Sequence, residues 1–410
     1  MYLNENQALL LTPSPLPQLC EASLPDYSGH GLFNLAVSLA RVCGSPARTH
    51  YPELHLPDGR HASEVWAQYE TVVFLLVDGL GDHFLTANRQ LAPNLWRDRV
   101  GQLSSVFPST TATAITTVMT GESATVHGML GWFVRDELSE TTVAPLPMRE
   151  RGNRALLGQP VIDRLLRTLP MMQAAQRQTH LVTHPELAQG PFSSFHANGA
   201  KVHGYRELDE LPGCIAQAAS TGSGPRYVYA YTPLLDRTAH DFGIDSDESR
   251  SVLARIDAAY AQIRAQLPQA LIVVAADHGF IDNPSAHQID LMQHPDIHAM
   301  LRGPLSGERR AAYCHVYPQF ADTFGAVIEA RFGHALIALK AADALGSGLF
   351  GPGSVDIETL ARCGDWILIA RGDWTVRDSV AGEDAPPMIG VHGGLSADEM
   401  RVPLIIGGVN

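Results

Sequence analysis

Six acidic and imidazole side chains stand in four short motifs that could bind metal ions. The motifs read VDGLGD, DRTAH, ADHGF and VHGG, and long stretches of chain separate them. Together they supply three carboxylates and three imidazoles: Asp78, Asp236, His240, Asp277, His278 and His392. Mixed oxygen and nitrogen donors are the ligands that zinc and similar divalent ions prefer. The set therefore predicts a centre with two ions, which can clamp the oxygens of a phosphoryl group.

Each motif alone has a simpler explanation. A DG or DHG sequence after a strand is more often a turn, and a DxxxH sequence is usually a solvated helix face. Asp236 and His240 are four residues apart, so they could face one ion across one helical turn. Asp277 and His278 are adjacent, and they converge only if the backbone turns, which Gly279 would permit. The occurrence of all four motifs in one chain favours the metal centre.

A run of small hydroxyl residues, FPSTTAT at positions 107–113, offers a nucleophile. Pro108 and the hydroxyl residues are typical of a helix start. The free N–H groups there bind phosphate oxygens, and a nearby metal ion would make a hydroxyl reactive at neutral pH. The alternative is that the hydroxyl groups only cap the helix, above all those of Ser109 and Thr110.

Continuous apolar runs adjoin the motifs and predict buried strands. Strands of a parallel sheet that is covered on both faces have this pattern. The runs are TVVFLLV (71–77) before Asp78, RYVYAY (226–231) before a loop with Asp236, LIVVAA (271–276) before Asp277, and VPLII (402–406) after His392.

Segments with helical spacing of apolar residues lie between these strands. They span residues 31–43, 82–91, 112–120, 160–168, 250–267 and 322–331. Alternating strands and helices predict an α/β fold, with a mainly parallel central sheet flanked by helices. Ligands of such sheets bind beyond the carboxyl ends of the strands. Asp78 and the Asp277–His278 pair should therefore meet at one rim of the sheet.

Residues 281–385 differ in pattern from the rest of the chain. They hold short strand-like segments such as AAYCHVY and WILIA, among many glycines and prolines. We predict that they form a smaller α+β insertion that caps the site. Residues 1–280 and 386–410 would then form the catalytic core.

The composition limits the possible binding partners and the cellular compartment of the chain. The formal net charge is −14 with no basic cluster, which argues against a nucleic-acid polymer as partner and leaves small phosphate esters. No apolar run is long enough to span a membrane. The five widely spaced cysteines and the lack of a basic segment at the N-terminus predict a cytoplasmic chain with reduced thiols.

Taken in order, these motifs resemble the alkaline phosphatase superfamily, and most of all its type I phosphodiesterase/nucleotide pyrophosphatase branch. The ordered set VDG, FPSTT…TG…HG, DxxxH, ADHG and HGG…VPLI runs from residue 71 to residue 406. In that branch the nucleophilic threonine stands ten residues before the glycine of a TG pair. Gly121 therefore selects Thr111, with Thr110 as the second choice.

The resemblance also implies a ligand assignment. One ion would be held by Asp78, Thr111, Asp277 and His278, and the other by Asp236, His240 and His392. Zinc is the implied metal, and manganese suits the same donors. The expected fold is an alkaline phosphatase-like sheet with an insertion after the ADHG strand.

We therefore expect a metal-dependent phosphodiesterase or nucleotide pyrophosphatase that acts on a small phosphate ester through a phosphothreonine at Thr111. A phosphomonoesterase or a carbon–phosphorus hydrolase on the same site is the first alternative. A non-catalytic phosphate-binding relative is the second. Among other polar residues, His127 and Arg309–Arg310 could contact the substrate, but we interpret His127 as a hydrogen-bonded or exposed histidine and Arg309–Arg310 as a solvated basic pair.

Overall fold

A computed structural model describes residues 16–45, 50–383 and 388–408. The expected C-terminal boundary of the insertion, between residues 385 and 386, lies outside these ranges. Within them, the helices are too short or too polar to cross a lipid bilayer.

The strands are numbered in chain order. They are β1 (Thr71–Val77), β2 (Arg99–Ser104), β3 (Val134–Asp136), β4 (Thr141–Ala144), β5 (Arg149–Glu150), β6 (Gln178–Thr183), β7 (Lys201–Gly204), β8 (Arg226–Thr232), β9 (Leu271–Ala275), β10 (Ile281–Asp282), β11 (Gln288–Asp290), β12 (Ser306–Gly307), β13 (Ala311–Cys314), β14 (Leu336–Lys340), β15 (Trp366–Ala370), β16 (Thr375–Arg377), β17 (Gly390–Val391) and β18 (Arg401–Gly407).

The helices are numbered in the same way. They are α1 (Leu32–Val42), α2 (Ala62–Trp66), α3 (Asp82–Ala87), α4 (Pro93–Arg97), α5 (Thr111–Thr120), α6 (Ala124–His127), α7 (Gln159–Leu165), α8 (Pro185–Ala188), α9 (Pro191–His196), α10 (Leu211–Ser220), α11 (Leu234–Phe242), α12 (Asp247–Gln266), α13 (Pro295–His298), α14 (Phe324–Phe332), α15 (Ala341–Gly346), α16 (Ile357–Cys363) and α17 (Ala397–Met400).

A seven-stranded sheet forms the centre of the molecule, in the order β2-β18-β9-β1-β8-β6-β7. The pairs β9–β1, β1–β8, β8–β6 and β6–β7 are parallel, whereas β18 runs antiparallel to both β9 and β2. Helices α10, α11 and α12 pack together with α4, and α1 packs against α5. The predicted α/β fold with a mainly parallel sheet is confirmed.

The three strands at the middle of this sheet, β8, β1 and β9, all end beside the site. Val77 pairs with Thr232, and Leu76 pairs with Ala275, so the carboxyl ends are level. Residues 72–77 and all of β9 are buried, as expected for strands covered on both faces. This arrangement places Asp78, Asp236 and Asp277 at one rim.

The sequence pattern did not predict β6 and β7. Their sequences, QTHLVT and KVHG, are short and partly polar, so the apolar run is weak in both. Only β7 is an edge strand of the sheet, with β6 between it and β8. Helix α3 also ends at Ala87, earlier than the predicted residue 91.

A second sheet lies between β9 and β17 in the chain. Strands β12, β13, β15 and β14 pair antiparallel in that order, and α14 packs against β14. A separate hydrophobic cluster that includes Leu291, Phe324 and Leu368 packs against one face of this sheet. The β12 end of this sheet touches the central unit, because Phe133 and Gly307 exchange two backbone hydrogen bonds of 3.1 and 2.6 Å.

Candidate metal centre and nucleophile

Asp78 follows β1 and is 1% exposed. The next residue, Gly79, has a left-handed φ of +79°, and a Cβ there would lie 2.5 Å from the Phe280 ring. The Gly79 N–H donates to Asp277 Oδ1 at 3.1 Å. This bond joins the ends of the neighbouring strands β1 and β9, and so fixes the two carboxylates side by side.

Asp277 and His278 follow β9 and are fully buried. Asp277 Oδ1 also accepts the His278 N–H at 3.0 Å. The backbone at Gly279 is not left-handed, so the prediction that this glycine is needed for its conformational freedom is wrong. A Cβ at Gly279 would lie 1.9 Å from the carbonyl oxygen of Asp398, and close packing therefore requires the glycine.

Asp236 and His240 lie on helix α11, where a loop was expected around Asp236. The helical spacing brings Asp236 Oδ1 within 3.4 Å of His240 Nε2. His392 comes directly after β17, and its ring stacks on the His278 ring with centroids 3.7 Å apart. Phe280 packs against the three imidazole rings.

Each of the three imidazoles has its Nδ1 beside a backbone carbonyl oxygen. The acceptors are Gly390 O at 2.9 Å for His240, Gly279 O at 3.0 Å for His278, and Ser109 O at 3.2 Å for His392. A carbonyl can only accept, so Nδ1 carries the proton and the lone pair of Nε2 stays free. This is the usual orientation of histidine ligands in metal sites.

The donors form two adjoining groups. The inner group consists of Asp78, Asp277 and His278, whose ligand atoms lie within 4.8 Å of one another. The ligand atoms of Asp236, His278 and His392 also lie within 4.8 Å of one another, and His240 joins them through Asp236. We call Asp236, His240 and His392 the outer group. Asp236 Oδ1 is 3.6 Å from His392 Nε2 and 4.0 Å from His278 Nε2, so His278 stands between the two groups.

The chemistry of this donor set fits divalent cations. Asp236 Oδ1 and Asp277 Oδ2 are buried without a hydrogen-bond partner in the part of the chain that the structure describes. Burial, together with the negative charges of Asp236 and Asp277, raises the pKa of Asp78 well above its ordinary value. Buried carboxylates at such close range are costly unless a cation lies between them.

The pKa values of the two imidazoles in the outer group are shifted in opposite directions. Burial lowers the pKa of His392, and the neighbouring His278 and His240 lower it further. Burial also disfavours a charged His240, but the Asp236 carboxylate, the Gly390 carbonyl and the charge of Glu308 together outweigh burial and raise the pKa of His240. Deprotonated His240 is the form that can bind a metal ion.

Thr111 is the first residue of α5, and Thr110 is its N-cap. Thr111 Oγ1 lies 3.1 Å from His278 Nε2 and 3.5 Å from Asp78 Oδ1, next to the inner group. Ser109 Oγ donates to Gly394 O at 2.8 Å, and Thr110 Oγ1 donates to Glu308 Oε1 at 2.6 Å. Neither hydroxyl caps the helix, and of the two threonines Thr111 is the one at the donor cluster.

Tyr231 is a residue of the site that the sequence patterns above did not reveal. Its hydroxyl donates a hydrogen bond to Asp78 Oδ2, and burial and then the charge of Asp78 raise the pKa of Tyr231. The sequence RYVYAY could have identified Tyr231, because alternate residues of a strand lie on the same face of the sheet. The last tyrosine on that face of β8 falls at the rim.

Glu308 is the second missed residue, and it comes from the turn between β12 and β13. Its Oε1 accepts from Thr110 Oγ1 at 2.6 Å and from the Trp132 N–H at 2.7 Å. Burial raises the pKa of Glu308 to about 7, and those hydrogen bonds and the nearby His278 and His240 limit the rise. No motif in the sequence around Glu308 predicts this contact.

The structure also shows the surroundings of His127 and Arg310. His127 is buried, accepts the Met129 N–H at Nδ1 and contacts Thr117 Oγ1 through Nε2, which confirms a structural histidine. The solvated basic pair was wrong for Arg310. That guanidinium is buried and makes two hydrogen bonds, of 3.0 and 2.7 Å, to Glu399.

Comparison with known proteins identifies one matching family and several solved structures with a similar fold. The sequence profile of the type I phosphodiesterase/nucleotide pyrophosphatase family matches residues 72–395. No curated protein matches the chain by sequence.

Solved structures of two kinds of protein are similar to this chain. Murine ectonucleotide pyrophosphatase/phosphodiesterase 5 is 16% identical with a TM-score of 0.60, covering 81% of this chain and 87% of its own. It is also known as an inactive threonine-to-alanine variant in complex with AMP. Phosphonoacetate hydrolase from Sinorhizobium meliloti, in complex with phosphonoformate, is 17% identical with a TM-score of 0.60, covering 85% and 92%. At such identities the likeness shows a shared fold.

Proposed function

The chain belongs to the type I phosphodiesterase/nucleotide pyrophosphatase family and is a phosphoester hydrolase, and we propose that it cleaves phosphodiester or pyrophosphate bonds through a phosphothreonine at Thr111. One observation carries the proposal. Thr111 Oγ1 lies at the start of α5 and within 3.5 Å of Asp78 and His278, beside two buried carboxylate oxygens that lack partners among the described residues.

Two divalent ions, zinc or manganese, suit the donor set. The inner group with Thr111 would hold one, and the outer group would hold the other. Bound there, the ions would supply positive charge for the phosphoryl oxygens and would favour ionisation of a hydroxyl or a water molecule.

The residues of the chain have distinct roles in this proposal. Thr111 Oγ1 forms the new bond to phosphorus while the bond from phosphorus to the leaving oxygen breaks. The free N–H groups in the first turn of α5 face the non-bridging oxygens. Water then cleaves the phosphothreonine and restores the Thr111 hydroxyl. Tyr231 and the Gly79 N–H keep Asp78 and Asp277 in place throughout.

The murine relative supports both the nucleophile and the class of substrate. That protein is inactive as a threonine-to-alanine variant and was solved with AMP. By analogy, we propose a small substrate such as a nucleotide ester for this chain. The alternative is a carbon–phosphorus hydrolase, which the similar phosphonoacetate hydrolase fold favours. The two activities differ in the leaving atom, because one breaks a phosphorus–oxygen bond and the other a phosphorus–carbon bond.

Hydrolysis assays test the proposal directly. The purified chain is loaded with zinc or manganese and assayed with bis-p-nitrophenyl phosphate, p-nitrophenyl phosphate and phosphonoacetate, with and without a chelator. We expect metal-dependent turnover that is fastest with the diester. Faster release of phosphate from phosphonoacetate would favour the alternative, and turnover that ignores the chelator would overturn the metal centre.

A further inference from the structure

Glu308 brings a carboxylate from the antiparallel sheet to the metal centre. It follows β12 and begins the turn to β13, where its backbone exchanges hydrogen bonds of 2.9 and 3.2 Å with Ala311. The preceding Gly307 has φ of +82° and is bonded to Phe133 through its backbone. The backbone at Glu308 is therefore held on both sides.

The Glu308 side chain contacts the neighbours of two site residues. One oxygen binds the hydroxyl of Thr110, the neighbour of Thr111. A Cβ at Gly393, the neighbour of His392, would lie 2.6 Å from the Cβ of Glu308. The carboxylate is near enough to His278 and His240 for their charges to affect its ionisation.

A buried ion pair two residues further on prevents this turn from moving away. The Arg310 guanidinium binds Glu399 of α17 and donates to Trp374 O at 2.6 Å. Glu399 in turn accepts the Gly394 N–H at 2.7 Å, within the HGG motif. This buried ion pair therefore fixes the backbone of the turn that carries Glu308 against the segment of the HGG motif.

When the Glu308 carboxyl is ionised, its negative charge would distinguish between substrates of different charge. A phosphomonoester carries close to two negative charges above pH 7, whereas a phosphodiester carries one. Repulsion from a neighbouring carboxylate grows in proportion to the charge of the substrate, and low exposure to water strengthens it. A like charge facing a competing ligand is a common source of specificity.

We propose that Glu308 is a specificity-determining residue that favours singly charged phosphodiesters over doubly charged phosphomonoesters. The inference rests on the proposed function, because it assumes that the phosphoryl group binds beside Thr111. It assigns to the antiparallel sheet a specific task, which is to exclude substrates with the larger charge.

The test compares Glu308→Gln with the parent enzyme at about pH 9, where carboxyl groups and monoesters are ionised. The amide oxygen of glutamine can still accept from Thr110 and Trp132, so only the charge is lost. We expect kcat/KM for p-nitrophenyl phosphate to rise about tenfold and that for bis-p-nitrophenyl phosphate to rise only about threefold, because the diester carries half the charge. Glu308→Asp, which keeps the charge, should retain the parent ratio of the two substrates.

Glu137→Gln is the matched control. Glu137 also bridges the two parts of the molecule, since it pairs with Arg135, Arg302 and His315, but within the described residues it has no contact with the metal donors. The ratio of diester to monoester hydrolysis should not change in this variant. An equal change in both glutamine variants would show a structural effect and would overturn the inference.

Binding without turnover gives an independent measurement. In a Thr111→Ala background loaded with metal, calorimetry with inorganic phosphate should show about tenfold tighter binding after Glu308→Gln, because phosphate is doubly charged at that pH. An unchanged or weaker affinity would overturn the inference even if the enzyme hydrolyses diesters. Lack of any metal-dependent hydrolysis by the parent chain would instead overturn the proposed function, so the two failures are distinguishable.

Discussion

The inner and outer groups of donors are built in different ways. The inner group follows two neighbouring parallel strands, and its side chains are at most 1% exposed. The outer group is carried by helix α11 and the segment after the two-residue strand β17. Its side chains are more open, with Asp236 17%, His240 19% and His392 7% exposed.

The difference indicates a division of roles between the groups. Backbone N–H groups and Tyr231 hold the inner carboxylates, so that group is preorganised and shielded from water. In the outer group, Asp236 Oδ1 has no hydrogen-bond partner within the described residues, and solvent reaches two of the three side chains. We expect the inner ion to bind more tightly and the outer ion to exchange first.

The largest effect is expected at Thr111, the proposed nucleophile, which contacts Asp78 and His278 of the inner group. Thr111→Ala should lower kcat about 10³-fold or more, because it removes the oxygen that attacks phosphorus. Metal content, measured by mass spectrometry, should stay close to that of the parent chain. Thr110→Ala is the control and should remain within about tenfold of the parent, because it loses only a hydrogen bond to Glu308. Equal losses in the two variants would contradict the assignment.

Substitution of one carboxylate in each group compares the groups directly. Asp236→Asn should retain about one divalent ion per chain after dialysis against a weak chelator, because the inner group is intact. Asp277→Asn should retain less metal, because Asp277 Oδ1 also fixes the Gly79 and His278 backbone N–H groups. Loss of all metal from Asp236→Asn, with retention by Asp277→Asn, would reverse the proposed order of affinities.

Tyr231→Phe tests how much the support of Asp78 contributes. Removal of the hydroxyl that binds Asp78 should weaken metal affinity about 10- to 100-fold, as for other residues that orient ligands. Tyr229→Phe is a close control on the same face of β8, because the Tyr229 hydroxyl is buried and unpaired among the described residues. Titration of metal into the stripped proteins measures both. Equal affinities in the two variants would show that the Tyr231 hydrogen bond does not hold the inner group.

The smallest expected effect is a change in the melting temperature of the metal-free protein. The raised pKa of Asp78 means that the folded state binds a proton more tightly than the unfolded state. That stabilisation is complete below the unfolded pKa of about 4 and is lost as pH rises toward the folded value. With chelator at about pH 8, Asp78→Asn should therefore melt a few degrees above the parent chain.

Added metal should reverse this order, because bound ions stabilise the folded parent chain. Thermal melts in chelator and in excess zinc or manganese, repeated across the acidic range, measure both effects. The advantage of the metal-free asparagine variant should shrink as pH falls. A metal-free Asp78→Asn chain that melts lower at about pH 8 would show that the buried carboxylates do not repel each other.

The strands nearest the site were predictable because burial on both faces leaves a continuous apolar run. Residues 71–77 match β1, and the predicted segment 226–231 differs from β8 by one residue. The helical segment 112–120 likewise misses only the first residue of α5. The edge strand β7 lacks such a run, since side chains at an edge need not be apolar, and in its neighbour β6 polar residues interrupt the run.

The amino-acid sequence by itself determined which side chains meet at the candidate site. The six donors and the hydroxyl residues adjoin strong local patterns, and local patterns are decided by a few neighbouring residues. Parallel strands then bring their carboxyl ends to one rim whatever the intervening chain does. For that reason the meeting of Asp78 with Asp277 follows from the two apolar runs that precede them.

Only the tertiary structure decided how those side chains are held and what faces them. The carbonyl oxygens that orient the three imidazoles, the support of Asp78 by Tyr231 and the entry of Glu308 mostly join segments far apart in the chain. Such contacts depend on the exact packing of one element against another, and no local pattern of residues encodes them. The order of affinities and the selection by charge that we propose both depend on these contacts.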